Sequence, residues 1–138
     1  MTGQPKYRFS DNSLRQLNTC HRDLVRLMWE VANHIDITII EGHRSNERQD
    51  SLFRQGSSKL RGGQSKHNSD PSMAVDVAPY PIDWQDRERF LIFGGFVLGM
   101  AAKMGIPLRW GGDWDGDGYT TDQNFHDMVH FELVDKRV

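Results

Sequence analysis

Cysteine is almost absent from this sequence, in which Cys20 is the single cysteine among 138 residues. One thiol cannot form an intrachain disulfide, so a disulfide-stabilised secreted fold is excluded. An excess of basic residues is missing too, because 17 lysines and arginines face 19 acidic residues, for a formal net charge of −2. Phosphate-binding surfaces usually carry surplus cations, so no nucleic acid partner is expected.

Long hydrophobic runs are also lacking. The longest apolar stretch, 91–102, contains three glycines and is shorter than the roughly 20 residues that span a bilayer. The N-terminal segment, MTGQPKYRFSDNS, has no apolar stretch of the kind found in a secretory signal. We therefore expect a soluble chain made in the cytoplasm, with no signal peptide and no stable membrane association. The length suits a single domain over 1–138 with one hydrophobic core.

Hydrophobic periodicity predicts an α+β domain, with a small, mainly antiparallel sheet packed against about three helices. The first helix runs from the caps at Ser10 and Ser13 to Val31 along one apolar face. Ser45 is expected to cap a helix over 46–54, and Asp83 one that ends before Gly105. Alternating or β-branched segments predict four strands, over 35–40, 73–78, 108–110 and 128–134.

Two histidines and an aspartate from separate segments are the candidate metal ligands. His67 lies in a loop, Asp76 is the polar member of an apolar strand, and His130 begins the last strand. Three such ligands suit catalytic zinc, which leaves a fourth position for water, lowers its pKa towards about 7 and polarises a carbonyl. Asp127 is placed to move a proton from that water to a leaving amine. The alternatives are structural histidines, an ion pair at Asp76, and His126 as ligand instead of His130.

The loop after Trp110 is acidic and rich in glycine. Asp113-x-Asp115-x-Asp117-Gly118 matches the first half of a calcium-binding loop. The twelfth position holds Asn124 instead of the usual glutamate, and Asp122 is the candidate substitute. The alternative is a solvated acidic turn.

Three segments resemble zinc peptidases that act on bacterial cell-wall peptides: Ser65-Lys66-His67, Ala74–Pro79 and Asp127-x-x-His130-Phe131-Glu132. That family includes D-alanyl-D-alanine dipeptidases and carboxypeptidases and the L-alanyl-D-glutamate endopeptidases. The likeness is strongest to compact endolysins of tailed phages, which share a stretch like Leu108–Trp114. The resemblance spans 42–133 and implies a Hedgehog- and DD-peptidase-like fold.

The resemblance implies His67, Asp76 and His130 as zinc ligands and Asp127 as general base and acid. It also implies that Arg44 contacts the substrate or the developing oxyanion, for which a structural salt bridge is the alternative. Substrate contacts are expected from Ser65 and Trp114, whereas Trp84 is expected to pack structurally. Glu132 is expected to orient a ligand. Because some phage endolysins of this type carry calcium in the acidic loop, the candidate calcium ligands are Asp113, Asp115, Asp117 and Asp122.

The spacing from His67 to Asp76 departs from the family pattern, because it is two residues longer than usual and Ser72 stands where glycine is expected. We expect the added residues to bulge within 68–71 without moving either ligand. The shape of the groove beside the zinc is then the feature most open to change.

The predicted function is hydrolysis of the L-Ala–D-Glu bond of peptidoglycan by a monomeric phage endolysin. The substrate is a peptidoglycan stem peptide, and the enzyme is expected in the host cytoplasm until its release to the cell wall. One alternative is a D-Ala-D-Ala carboxypeptidase or dipeptidase, which needs a pocket for a free carboxylate. The other is a non-catalytic wall-binding module with a structural zinc, against which the intact Asp127 argues.

Overall fold

The computed structural model describes residues 5–121 and 127–134. Within these ranges the chain forms four α-helices, four strands and one short 3-10 turn, Lys66–Asn68. The helices are α1 (Asp11–Leu17), α2 (Arg22–Val31), α3 (Asn46–Arg54) and α4 (Arg87–Lys103). The strands are β1 (Ile37–Glu41), β2 (Ala74–Pro79), β3 (Leu108–Gly111) and β4 (Asp127–Leu133). None of the helices that the structure describes has the length and apolar composition needed to cross a bilayer.

The four strands form one sheet in the order β1-β2-β4-β3, and every neighbouring pair is antiparallel. This confirms the predicted α+β class with a small antiparallel sheet. Asp76 of β2 lies directly opposite His130 of β4. The sheet register therefore brings two of the candidate ligands together although they are far apart in sequence.

The predicted first helix is wrong in one respect, because the structure divides it into α1 and α2. Asn18 caps the end of α1, and the side chain of His21 accepts a hydrogen bond from the Asp23 amide to begin α2. Between them the Thr19 hydroxyl donates to the Gln16 carbonyl. These local polar contacts compete with the continuous helix that the apolar spacing predicted.

The last helix also begins later than expected. Asp86, and not Asp83, accepts the capping hydrogen bond, from the Arg89 amide. The segment before Asp86 is therefore loop, and Trp84 lies in it. The chain thus has four helices within its described residues where about three were predicted.

The core lies between one face of the sheet and helices α2 and α4. Along each strand, side chains that face this core alternate with side chains on the opposite face of the sheet. Val75, Val77, Phe131 and Leu133 are buried in the core. Asp76, His130 and Glu132 occupy the alternate positions, so they share the opposite face.

Candidate active site

The three candidate ligands converge at one point on the polar face of the sheet. His67 Nε2 lies 3.1 Å from Asp76 Oδ1, and His130 Nδ1 lies 3.3 Å from the same oxygen. One ligand atom from each residue falls within 4.8 Å of the other two. Two imidazole nitrogens and a carboxylate oxygen at this separation fit the ligand set of a tetrahedral zinc with one position left open.

The second nitrogen of each histidine determines which nitrogen is free to bind a metal. His67 Nδ1 lies 2.7 Å from the Gly42 carbonyl oxygen, which can only accept, so Nδ1 carries the proton and Nε2 offers its lone pair. His130 Nε2 lies 2.8 Å from Glu132 Oε1, which leaves His130 Nδ1 for the metal. Glu132 therefore fixes the ring of His130, the candidate ligand that it is expected to orient. Partners of this kind are usual around metal-binding histidines.

The additional residues between His67 and Asp76 do not separate the ligands. Ser65 begins the 3-10 turn that holds His67, and its hydroxyl oxygen accepts from the His67 amide. The Met73 amide donates to the Lys66 carbonyl, which closes the loop immediately before β2.

The ligand cluster is electrostatically coupled. Burial raises the pKa of Asp76, but hydrogen bonds from His130 and His67 outweigh it and leave the pKa well below its usual range. Burial lowers the pKa of His130, whereas Asp76 and Glu132 raise it to about 9. Glu132 is paired with His130 and Arg109, which overcome the effect of its burial and bring its pKa to about 2. The carboxylates of Asp76 and Glu132 and the imidazole of His130 therefore stabilise one another's charged forms.

Arg44 is fixed beside the ligands by a network of side chains. Its Nε and Nη2 donate to Glu41 Oε1 at 3.1 and 2.7 Å, and Nη1 donates to Gln49 Oε1 at 2.9 Å. Nη2 also lies 3.6 Å from Asp76 Oδ2. Arg44 thus forms a structural salt bridge and also lines the cleft over the ligands.

Asp127 begins β4 at the edge of the cluster, where it pairs with Gly111 of β3. Gly111 is required here, because a Cβ at this position would lie 2.2 Å from the Asp127 carbonyl oxygen. Burial and the charge of Asp76 raise the pKa of Asp127 above its usual value. A carboxylate in this environment is suited to accept a proton.

A cleft of about 620 Å³ opens over the cluster. Ser65 and Trp114 both line it, and the Trp114 ring lies 5.4 Å from the His130 ring. Its walls are rich in cationic side chains, namely Arg44, Arg48, Lys59, Lys66 and Arg109. Carboxylates line it as well, and Glu41 pairs with Arg44 and Arg48 while Glu132 pairs with Arg109 and Lys66.

The acidic loop brings Asp113, Asp115 and Asp117 together, with one oxygen of each within 4.8 Å of the others. Asp113 Oδ2 accepts from the Gly118 amide. Asp113 Oδ1 is buried and has no hydrogen-bond partner among the described residues. Asp122 and His126, the remaining candidates of this segment, lie outside the residues that the structure describes.

Several contributors were not found from the sequence. One is the Gly42 carbonyl, which holds His67, and the others are Glu41 and Gln49, which hold Arg44. The short spacing between Glu41 and Arg44 was the one signal in the sequence, since it allows an ion pair. Trp84, which is expected to pack structurally, stacks on Phe90 while 63% of it remains exposed.

Comparisons with known proteins agree with this geometry. A model of the family described as phage L-alanyl-D-glutamate peptidase matches residues 5–134. The chain is 33% identical over 138 residues to the L-alanyl-D-glutamate peptidase of Escherichia phage T5, covering 93% of this chain and 98% of that protein. It is 30% identical over 115 residues to the peptidoglycan L-alanyl-D-glutamate endopeptidase CwlK of Bacillus subtilis (strain 168), covering 72% of this chain and 62% of CwlK. Among solved structures, the L-Ala D-Glu endopeptidase ChiX of Serratia marcescens matches with a TM-score of 0.73 and 27% identity, covering 94% of this chain and 92% of ChiX.

Proposed function

We infer that this chain, which belongs to the phage L-alanyl-D-glutamate peptidase family, hydrolyses the L-Ala–D-Glu bond of peptidoglycan stem peptides. The observation that carries this inference is the convergence of His67, Asp76 and His130 in a cleft that also contains Asp127. The relatives named above act on this bond according to their names. We propose that it works as a monomeric endolysin that reaches the cell wall from the host cytoplasm.

We propose zinc as the metal that His67, Asp76 and His130 hold. His67 presents Nε2 and His130 presents Nδ1, and each ring is fixed by an acceptor on its other nitrogen, as is usual for histidines that bind zinc. When bound, zinc supplies a Lewis acid for the scissile carbonyl and for the attacking water.

The chain's own residues then handle the protons and the developing charge. Asp127 takes a proton from the water whose oxygen bonds to the carbonyl carbon of L-Ala. It returns the proton to the nitrogen of D-Glu as the carbon–nitrogen bond breaks. Arg44 has five N–H groups, of which its hydrogen bonds to Glu41 and Gln49 use three, so another can contact a substrate oxygen. Ser65 and Trp114 are proposed to bound the peptide on the cleft wall.

We also propose calcium at the acidic loop, held by Asp113, Asp115 and Asp117 and, outside the described residues, by Asp122. The buried and unpaired Asp113 Oδ1 supports this proposal, because such an oxygen is costly unless a cation or donor faces it. Calcium should raise the melting temperature of protein stripped with EDTA and restored with zinc. An unchanged melting temperature would leave a solvated acidic turn.

Mass spectrometry of a peptidoglycan digest tests the proposed bond. Fragments with a new N-terminal D-Glu are expected from the zinc-loaded protein. Release of D-Ala or D-Ala-D-Ala would instead indicate a carboxypeptidase or dipeptidase. An absence of products with retained wall binding would indicate a non-catalytic module.

A further inference from the structure

A second groove adjoins the reaction cleft. It has a volume of about 370 Å³ and is lined by Trp84, Arg87, Phe90, Asp127, Met128 and Val129, which we call the Trp84 groove. Asp127, the proposed general base, is the one lining residue that the two cavities share. The proposed hydrolysis makes no use of the other five residues.

Trp84 gives this groove a flat apolar surface. Its ring stacks on Phe90 with the centroids 5.8 Å apart and the planes inclined by 20°. Phe90 is buried, whereas Trp84 is 63% exposed, so one ring face is supported while much of the ring remains open to solvent. A large, rigid and exposed aromatic beside an active site is typical of a contact surface for a ligand.

The chemistry of the substrate places a sugar close to this groove. In peptidoglycan, L-Ala is joined directly to the lactyl ether of N-acetylmuramic acid. The alanine and the lactyl group each span at most about 3.6 Å, so the sugar ring begins within roughly 7 Å of the scissile carbonyl. An enzyme that cleaves after this alanine must therefore accommodate a sugar beside its general base.

The two cavities differ in charge, and so do the two sides of the scissile bond: the D-Glu side carries carboxylates, whereas the muramic acid side is uncharged. The reaction cleft is lined by charged groups of both signs, and its cations Arg48, Lys59, Lys66 and Arg109 offer N–H donors to the carboxylates on the D-Glu side. The Trp84 groove is mainly apolar, with Arg87 as its cation. A substituted muramic acid is uncharged and presents an apolar C–H face, together with hydroxyl and acetamide oxygens that an arginine can donate to.

We propose that the Trp84 groove binds the N-acetylmuramic acid sugar of the glycan strand, with a ring face on Trp84 and the acetamide or a hydroxyl near Arg87. This proposal rests on the proposed function, because it takes L-Ala–D-Glu as the bond that is cleaved. The groove makes the enzyme prefer stem peptides that are still attached to glycan.

Two substrates test the preference: a tetrapeptide stem carrying the N-acetylglucosamine–N-acetylmuramic acid disaccharide, and the same tetrapeptide without sugar. The ratio of kcat/KM for the first substrate to that for the second should fall about three- to tenfold in Trp84→Ala, the worth of one aromatic contact. Trp84→Phe keeps a flat ring and should retain most of the ratio. Ile92→Ala, which removes a side chain 74% exposed on α4 and outside both cavities, should leave the ratio unchanged.

An unchanged ratio in Trp84→Ala would overturn the proposal, including the case in which both substrates lose activity equally. Binding of the free disaccharide gives a second readout that does not depend on cleavage. Amide resonances of 84–90 and 128–129 should shift when the disaccharide is titrated into the protein. No shift there, or shifts that depend on protein concentration without sugar, would also overturn it, the latter by indicating a second copy in the groove. If the wild type cleaves neither substrate, the proposed function is wrong. The disaccharide titration then still shows whether the Trp84 groove binds the sugar.

Discussion

In each histidine of the site, the contact made by one ring nitrogen determines which nitrogen is left to bind a metal. The Gly42 carbonyl holds the proton of His67 on Nδ1, and Glu132 holds that of His130 on Nε2. The two rings therefore present different nitrogens to one point beside Asp76. Because the two rings are already held in place, a metal that binds here would order its ligands at little cost in conformational entropy.

Removing the carboxylate behind His130 tests this arrangement. Glu132→Ala should weaken zinc binding about 10- to 100-fold, because the His130 ring loses the partner that fixes its orientation. The measurement is a competition titration against a chelator of known affinity. Arg109→Ala is the matched control, since it removes the cation bound to Glu132 Oε2 while leaving the contact with His130. Equal losses in the two variants would argue against the orienting role.

The ion pair of Glu41 with Arg44 should appear in the pH dependence of stability. Burial raises the pKa of Glu41, but Arg44 and Arg48 outweigh it and hold the pKa below 4.5. The pair therefore stabilises the fold above about pH 4.5, and this contribution is lost as the pH falls through the lower pKa of the folded state. Glu41→Gln should lower the free energy of unfolding by about 1–3 kcal/mol at pH 7. Denaturant titrations at several pH values should show this difference shrinking in acid, and a difference that grows in acid would contradict the assignment.

Residues that carry reactive groups could be predicted from the sequence, and residues that act through the backbone could not. His67, Asp76 and His130 have ligand side chains, and their segments resemble a family motif. Gly42 contributes a carbonyl oxygen, which every residue possesses, so only the folded geometry distinguishes it.

At the level of elements, the pairing of β2 with β4 builds the site. The alternating and β-branched residues predicted these two strands. The antiparallel register that places Asp76 opposite His130 became visible only in the structure. The helix boundaries were less predictable, because His21 and Asp86 cap helices through side-chain contacts that compete with periodicity. The later start of α4 places Trp84 in a loop, from which its ring stacks on Phe90 and stays largely exposed.

The close approach of β3 to β4 should be essential for placing Asp127. Gly111→Ala would put a Cβ 2.2 Å from the Asp127 carbonyl oxygen, so the start of β4 must move. We expect the free energy of unfolding to fall by about 1–3 kcal/mol. We also expect kcat to fall well below that of the control variant, because Asp127 is displaced. Thermal unfolding and steady-state kinetics measure the two effects. Gly99→Ala is the control, because a Cβ there meets nothing within 4 Å and alanine favours the helix. Similar kinetics in both variants would show that Asp127 does not depend on this contact.

On the scale of the whole molecule, α2 and α4 cover one face of the sheet, and the reaction cleft opens over the other face, where α3 forms part of its wall. The candidate metal ligands come from the 3-10 turn, β2 and β4, and the cleft above them is lined by charged side chains of both signs. The proposed base lines both this cleft and the Trp84 groove. The candidate ligands, the proposed base and the proposed substrate-binding walls therefore lie side by side in the described part of the chain.

The turnover of zinc-loaded Asp127→Ala on a defined stem peptide is the most direct test of the proposed mechanism. With zinc content and melting temperature measured on the same samples, the variant should remain folded and keep its zinc. Its kcat should fall about 10²- to 10⁴-fold, the usual contribution of a general acid–base group. Near-wild-type turnover in a folded, zinc-loaded variant would contradict the assignment of Asp127 as the residue that moves the proton.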